Sequence, residues 1–285
     1  MKQQVSVVLP AYNEAGHIGG VIGRLRSILP DAEFVLVDDG SEDETASAAT
    51  KAGARVVRHP YNKGNGASVR TGIRAATGDI VVMMDADGQH DPAEIFKLLE
   101  HIESYDLVIG ARTKESQAGI QRSLGNAFLN RFASWLTGFP VQDLTSGFRA
   151  FRREAVLPFL HLFPNRYSYP TTSTLAFLKA GLNVHYVPIT VRPRQGGKSN
   201  IKVARDGARF LLIIVKLITL FSPMKVFLPV AFAFGGIGLG YSLFTLWHGH
   251  FTNMGALLIS LGVIVFLMGL LAEMLSSLFT QRHND

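Results

Sequence analysis

Short apolar runs alternate with polar, helix-competent stretches through the first half of the chain. Val5–Leu9, Glu33–Val37, Ala54–Arg58, Ile80–Met84 and Asp106–Gly110 read as strands. Helices are expected from the Pro10–Glu14 loop to about Leu29, after Ser41, over Ala67–Ala76, and from Pro92 to about Glu103. Ser41 and Glu44 have the spacing of a capping box for the second of these. Strand and helix alternating with short connections predict an α/β fold with a mostly parallel sheet. The middle is less regular: a helix over Ala118–Thr137, a loop and strand within Val141–Arg152, a helix over Pro170–Ala180, and a strand over Val184–Val191. Pro188 in that last strand places it at a sheet edge.

The pattern then changes solvent. Residues 226–247 carry no charge, and residues 254–279 carry only Glu273. At about 1.5 Å per residue, each can cross a hydrocarbon core of about 30 Å. Gly236 and Gly240, four apart, suit close helix packing. Before these spans, Lys202, Arg205, Arg209 and Lys216 interleave with Phe210, Leu211, Ile214, Leu217 and Phe221. That is the pattern of a helix lying in a membrane interface. Three segments are therefore expected: 1–200 as a soluble domain, 201–225 as interface helices and 226–285 as a two-helix transmembrane hairpin.

Composition sharpens this picture. The 285 residues carry a net charge of +6 and no cysteine, which excludes disulfides and thiolate metal sites. The clustering of basic residues beside the apolar spans favours a membrane surface over nucleic acid. Lys198 to Lys225 precede the first span, Arg282 follows the second, and the turn between them has no Lys or Arg. The positive-inside rule then predicts that both ends are cytoplasmic. The N-terminal apolar run is too short for a signal peptide.

The candidate chemistry sits where the fourth strand ends. Asp85 and Asp87, two apart in extended backbone, point the same way outside the carboxyl end of a parallel strand, where ligands of such sheets bind. Two hard oxygens, with Gln89 as a third, suit Mg²⁺ or Mn²⁺ held jointly with substrate phosphates. Asp91, Pro92 and Glu94 fit the N-cap, N1 and N3 of the next helix. Asp38-Asp39 ends another strand, and Asp143 lies in the loop before a later one. Arg112, Arg122, Arg194 and Lys198 form a basic set suited to phosphate oxygens. Gly64-Asn65-Gly66-Ala67-Ser68-Val69 lacks the third glycine and the strand context of a dinucleotide fingerprint, and no Walker lysine pattern occurs. The histidines show no zinc spacing.

Taken in order, Val8-Leu9-Pro10-Ala11-Tyr12-Asn13-Glu14, Val37-Asp38-Asp39-Gly40-Ser41, Asn62-Lys63-Gly64, Asp85-Ala86-Asp87-Gly88-Gln89-His90, Gly110-Ala111-Arg112, Asp143-Leu144-Thr145-Ser146-Gly147-Phe148-Arg149 and Arg194-Gln195-Gly196-Gly197-Lys198-Ser199 resemble the motifs of family-two inverting glycosyltransferases. The closer resemblance is to the polyprenyl-phosphate branch, dolichyl-phosphate mannosyltransferases and bacterial polyprenyl-phosphate glucosyltransferases. It covers about residues 5–200. It implies a GT-A fold, Rossmann-like with helices on both faces of the sheet. It also implies transfer from a GDP- or UDP-linked sugar to dolichyl or undecaprenyl phosphate at the cytoplasmic face of the inner membrane, with room for a homo-oligomer and no nucleic-acid partner. Pro10, Tyr12, Glu14, Val37 and Asp39 would line the nucleoside pocket. Asp85, Ala86 and Asp87 would meet the donor diphosphate, with Asp85, Asp87 and Gln89 on the metal and Asp87 catalytic through it. Arg112, Arg122 and Asn126 would receive the lipid phosphate. Arg194, Lys198 and Ser199 would close over the donor. The family often reads Arg-x-x-Gly-x-Ser-Lys, whereas this chain has Asn200 at the final position and a lysine at 198. Asp143 matches an acid often discussed as a base. A phosphate monoester is mostly dianionic at neutral pH, so orienting the acceptor or the basic groups is the better role for it. Two other readings remain: a processive polysaccharide synthase, which usually has more spans and a Gln-x-x-Arg-Trp motif, and a non-catalytic membrane-anchored sugar-nucleotide binder.

Overall fold

The computed structural model describes residues 3–113, 120–166, 168–191, 219, 222–250 and 252–281. Arg194, Lys198, Ser199 and residues 201–218, 220 and 221 of the expected interface stretch 201–225 lie outside the described residues, as do the side chains of Arg122 and Asn126. The chain divides into two compact units, Met1–Ser199 and Asn200–Asp285.

The first unit is built on one seven-stranded sheet. Its strands are β1 (Val5–Ala11), β2 (Glu33–Asp38), β3 (Arg55–Arg58), β4 (Ile80–Met83), β5 (Leu107–Arg112), β6 (Arg149–Arg152) and β7 (Val184–Ile189), in the order β3-β2-β1-β4-β6-β5-β7. β7 is an edge, as Pro188 requires. All pairings are parallel except those of β6, which runs antiparallel between β4 and β5. Its first residue, Arg149, is registered against Met83 and Ile109. An antiparallel strand inserted there starts at the edge where β4 and β5 end. The loop before it, residues 143–148, is thereby carried to the same edge as Asp85 and Arg112.

Alternation along the strands fixes the two layers. Val7, Leu9 and Ala11 of β1, with Phe34, Leu36, Ile80 and Val82, pack on Ile18, Val21, Ile22 and Leu25 of α1 (Ala15–Ile28), Ala49 of α2 (Thr45–Lys51), and Ile95 and Leu98 of α4 (Ile95–His101). The opposite face, with Val8 and Val37, receives α3 (Asn65–Ala75) so closely that a Cβ at Gly72 would overlap Val8 and lie 3.2 Å from Val37 Cγ2. Among the described residues of the unit, α5 (Ile120–Thr137), α6 (Arg153–Val156) and α7 (Tyr169–Lys179) are the remaining α-helices. The 153–162 segment, which is α6 followed by a 3₁₀ turn, is absent from the sequence-based expectations.

One expectation is corrected here. Ser41 and Glu44 form no capping box: α2 starts at Thr45 with no side-chain cap from Glu44. Ser41 Oγ instead accepts from Asn13 N at 2.9 Å, and Asn13 Oδ1 accepts from Glu42 N at 2.9 Å. Thr45 Oγ1 accepts from Glu14 N, and Asp43 Oδ2 from Ala15 N. The loop after β2 thus caps the neighbouring helix α1, because both N-termini emerge at the same sheet edge.

The second unit contains α8 (Met224–Trp247) and α9 (Asn253–Gln281), each long and apolar enough to cross a membrane. Their outward faces are apolar, with Phe232 71% and Trp247 89% exposed. The seam between them is made of small residues. A Cβ on Gly238 would lie 2.9 Å from Ile259 N, and one on Gly262 would lie 2.9 Å from Gly235 N. A Cβ on Gly255 would overlap the Ser242 hydroxyl, and one on Gly269 would sit 2.7 Å from Phe227 Cβ. Gly236 and Gly240, the pair that the spacing singles out, have nothing within 4 Å and face away. Glu273, the one charge in the second span, accepts from Met224 N at 3.3 Å. It meets one of the backbone donors that a helix N-terminus leaves unpaired.

Candidate active site

The carboxyl edge of β4 carries Asp85 and Asp87, both half-buried. Gln89 N donates to Asp87 Oδ1 at 3.1 Å, which folds the backbone back around that carboxylate. Asp91 accepts from Ala93 N and caps the 3₁₀ turn Pro92–Glu94, with Pro92 at its first position. α4 follows that turn from Ile95 without a side-chain cap, so Asp91, Pro92 and Glu94 belong to the turn rather than the helix. His90 is buried, stacks on Phe148 at 4.9 Å and pairs through its backbone with Val191. Burial pushes its imidazole below the ordinary value. Two carboxylates plus the Gln89 amide are hard oxygen donors in a number suited to Mg²⁺ or Mn²⁺, which keep places for substrate phosphate. Among the described residues no group of three or more His, Cys, Asp and Glu could hold an ion unaided. The donor set therefore fits an ion shared with a ligand.

Beside this pair, the end of β5 presents Arg112 to Asp143. Arg112 Nε donates to Asp143 Oδ2 at 2.8 Å and Nη2 to Oδ1 at 2.9 Å, while Nη2 also reaches Thr145 Oγ1 at 2.5 Å. The Asp143 carboxylate further accepts from Thr145 N and Arg112 N. Burial alone would raise the Asp143 carboxyl, but the Arg112 guanidinium outweighs it and holds the group below the usual value. In Arg112 the balance runs the other way: Asp143 overcomes desolvation and raises it. A carboxylate so held is a weak proton acceptor and a strong orienting group.

A groove of about 640 Å³ opens over β2 and the residues after β3, lined by Tyr12, Gly40, Ser41, Glu42 and Arg58–Asn62. Asp39, next to Gly40 of that lining, is buried. Its Oδ1 accepts from Lys63 N at 2.9 Å and contacts His59 Nδ1 at 2.7 Å, and its Oδ2 accepts from Gly64 N at 2.8 Å. His59 Nε2 in turn meets Thr71 Oγ1 of α3 at 2.9 Å. Asp39 therefore ties down the 59–64 loop that walls the groove.

The structure brings Asp85, Asp87, Gln89, Arg112 and Asp143 to one edge of the sheet and sets Tyr12 in the groove. Val37 is fully buried and faces Gly72 of α3, and the Ala86 side chain lies in the core, so neither side chain faces the groove. Pro10 is the next-to-last residue of β1, opposite Val37, and Glu14 serves as the N-cap residue of α1. The sequence motifs contained Gly147 and Arg149 without giving either a role, and Tyr169 and His59 went unnoticed. Arg149 is wholly buried, donating to Ser146 O, Pro170 O, Ser173 Oγ and Thr174 Oγ1. Its presence in the 143–149 stretch was the signal available.

A family model described as Glycosyl transferase family 2 matches residues 6–157, and another described as GtrB C-terminal hairpin matches residues 222–278. The chain is 30% identical over 292 residues to Glycosyltransferase AglJ of Haloferax volcanii, covering 98% of this chain and 95% of that protein. It is 28% identical over 221 residues to an undecaprenyl-phosphate mannosyltransferase of Micrococcus luteus, covering 70% and 87%. A crystal structure of Mycobacterium tuberculosis glucosyl-3-phosphoglycerate synthase with Mg²⁺ and uridine diphosphate superimposes with a TM-score of 0.60 at 28% identity, covering 76% of this chain and 79% of that one.

Proposed function

The chain belongs to glycosyltransferase family 2 with a GT-A fold, and from that premise we propose that it transfers a sugar, with inversion, from a GDP- or UDP-linked donor to a polyprenyl phosphate. The observation that carries this reading is the single sheet edge where Asp85 and Asp87 stand beside the Arg112–Asp143 pair. One member of that edge suits a donor diphosphate and the other a second phosphate. The match to a C-terminal hairpin model and the name of the M. luteus relative support a lipid-linked acceptor.

In this reading the groove beside Asp39 takes the nucleoside, with Tyr12 and Tyr61 offering aromatic faces to the base. Arg112, held in place by Asp143, offers its charge to the acceptor phosphate, with Arg122 and Asn126 following on α5. An oxygen of that phosphate bonds to the sugar C1 as the bond from C1 to the diphosphate breaks on the opposite side. A divalent ion on Asp85 and Asp87 would neutralise charge on the departing diphosphate. Residues 1–200 are assigned catalysis, 201–225 the interface and 226–285 anchorage, with both ends cytoplasmic by the positive-inside rule.

The test is transfer by the full chain in lipid nanodiscs, with labelled UDP-glucose or GDP-mannose and undecaprenyl phosphate, in Mg²⁺, Mn²⁺ or EDTA. Labelled lipid is expected with one donor and only with metal. No labelled lipid with any nucleotide sugar tried would overturn the acceptor assignment, and full transfer in EDTA the metal assignment.

A further inference from the structure

Gly147 lies in the loop that the antiparallel β6 carries to the Asp85 edge. Its backbone is in an ordinary conformation, so a side chain there is opposed only by its neighbours. A Cβ would stand 3.0 Å from Asp85 Oδ2, 3.6 Å from Asp85 Cγ and 3.2 Å from the Tyr169 hydroxyl. The Asp85 carboxylate thus lies hard against the space that a side chain at 147 would fill. Tyr169, itself 4% exposed, donates its hydroxyl to Gly147 O at 2.8 Å. Its ring lies 5.7 Å from the Arg149 guanidinium, and Arg149 is pinned by the carbonyls of Ser146 and Pro170 and the hydroxyls of Ser173 and Thr174. Ser146, Gly147 and Arg149, braced on α7, therefore form a support against one carboxylate. The buried positive charge of Arg149 underlies it.

We infer that Gly147 and Tyr169 are positioning residues that hold Asp85 as a preformed ligand for a divalent cation. The inference rests on the metal reading of Asp85 and Asp87 proposed above. A metal ligand must be held within about half an ångström of its working position. A methyl group at 147 would push the carboxylate by a few tenths of an ångström, whereas loss of the Tyr169 hydroxyl would free the Gly147 carbonyl without adding bulk.

The experiment measures Mn²⁺ affinity by the loss of the free-ion electron paramagnetic resonance signal, with UDP and then GDP present, on the full chain in detergent. Wild type, Gly147→Ala and Tyr169→Phe are compared, and thermal unfolding is recorded for each. Gly147→Ala is expected to weaken Mn²⁺ about ten-fold and Tyr169→Phe a few-fold, both while keeping a cooperative unfolding transition. A purely structural role would lower the melting temperature and leave Mn²⁺ affinity unmoved. Wild-type affinity in every variant that folds overturns the inference and leaves the metal reading standing. Absence of Mn²⁺ binding by the wild type overturns both.

Discussion

Asp143 accepts two hydrogen bonds from one arginine and two from backbone amides, so its worth can be measured apart from any reaction. Asp143→Asn puts an amide against the guanidinium. Breaking a fully buried pair costs about 3–5 kcal/mol. Arg112 keeps some solvent contact, so about 2 kcal/mol is expected here. The carboxyl is held below its ordinary value of 3.8. The pair's stabilisation is then complete above that value and disappears as pH falls through the lowered one. Urea midpoints of wild type and variant should therefore differ at neutral pH and converge in strong acid. A gap independent of pH would show that the ion pair is not its source. At this scale the reach of sequence reasoning was uneven. Asp85 and Asp87 were legible because a strand and its end are local patterns. Tyr169 was not, since its contact with Gly147 exists only after α7 has docked.

The elements were legible as elements, and their partners were not. Period and punctuation located β1 to β5 and most helices. The direction and place of β6 depend on pairing with residues far along the chain, which no local pattern records. The misread capping box has the same origin: Ser41, Asp43 and Thr45 have the chemistry of a cap, but the helix they serve is α1. Thr45→Ala should destabilise the first unit by about 1 kcal/mol, the usual worth of a cap, and Thr45→Ser should recover most of it. Hydrogen exchange distinguishes the two views. The amides of Glu14 and Ala15 should lose protection in Thr45→Ala, and faster exchange confined to α2 would mean that the hydroxyl caps its own helix.

For the whole molecule, the apolar C-terminal segments were visible from hydropathy, whereas the face that joins them was not. Both glycine sets look alike in sequence; only packing shows that Gly238, Gly255 and Gly262 are in contact and Gly236 and Gly240 are not. Gly255→Val should separate α8 from α9 and lower the detergent melting temperature of the hairpin by several degrees, since overpacking costs about 1–3 kcal/mol. Gly240→Ala should change it little. Equal sensitivity at the two positions would overturn the assigned seam. The order of the sheet also has a history written into it. β1 to β3 have all their sheet partners within the first 83 residues, and β4 has one of its two, but β5 pairs only with β6 and β7, both made later. A nascent chain stopped short of residue 149 holds Asp85 at an open margin of the sheet, with Asp143 already made and nothing yet to deliver it to Arg112. The Asp85 side of the sheet thus closes only once β6 has been made, and it waits on a pairing between distant segments, the slow kind.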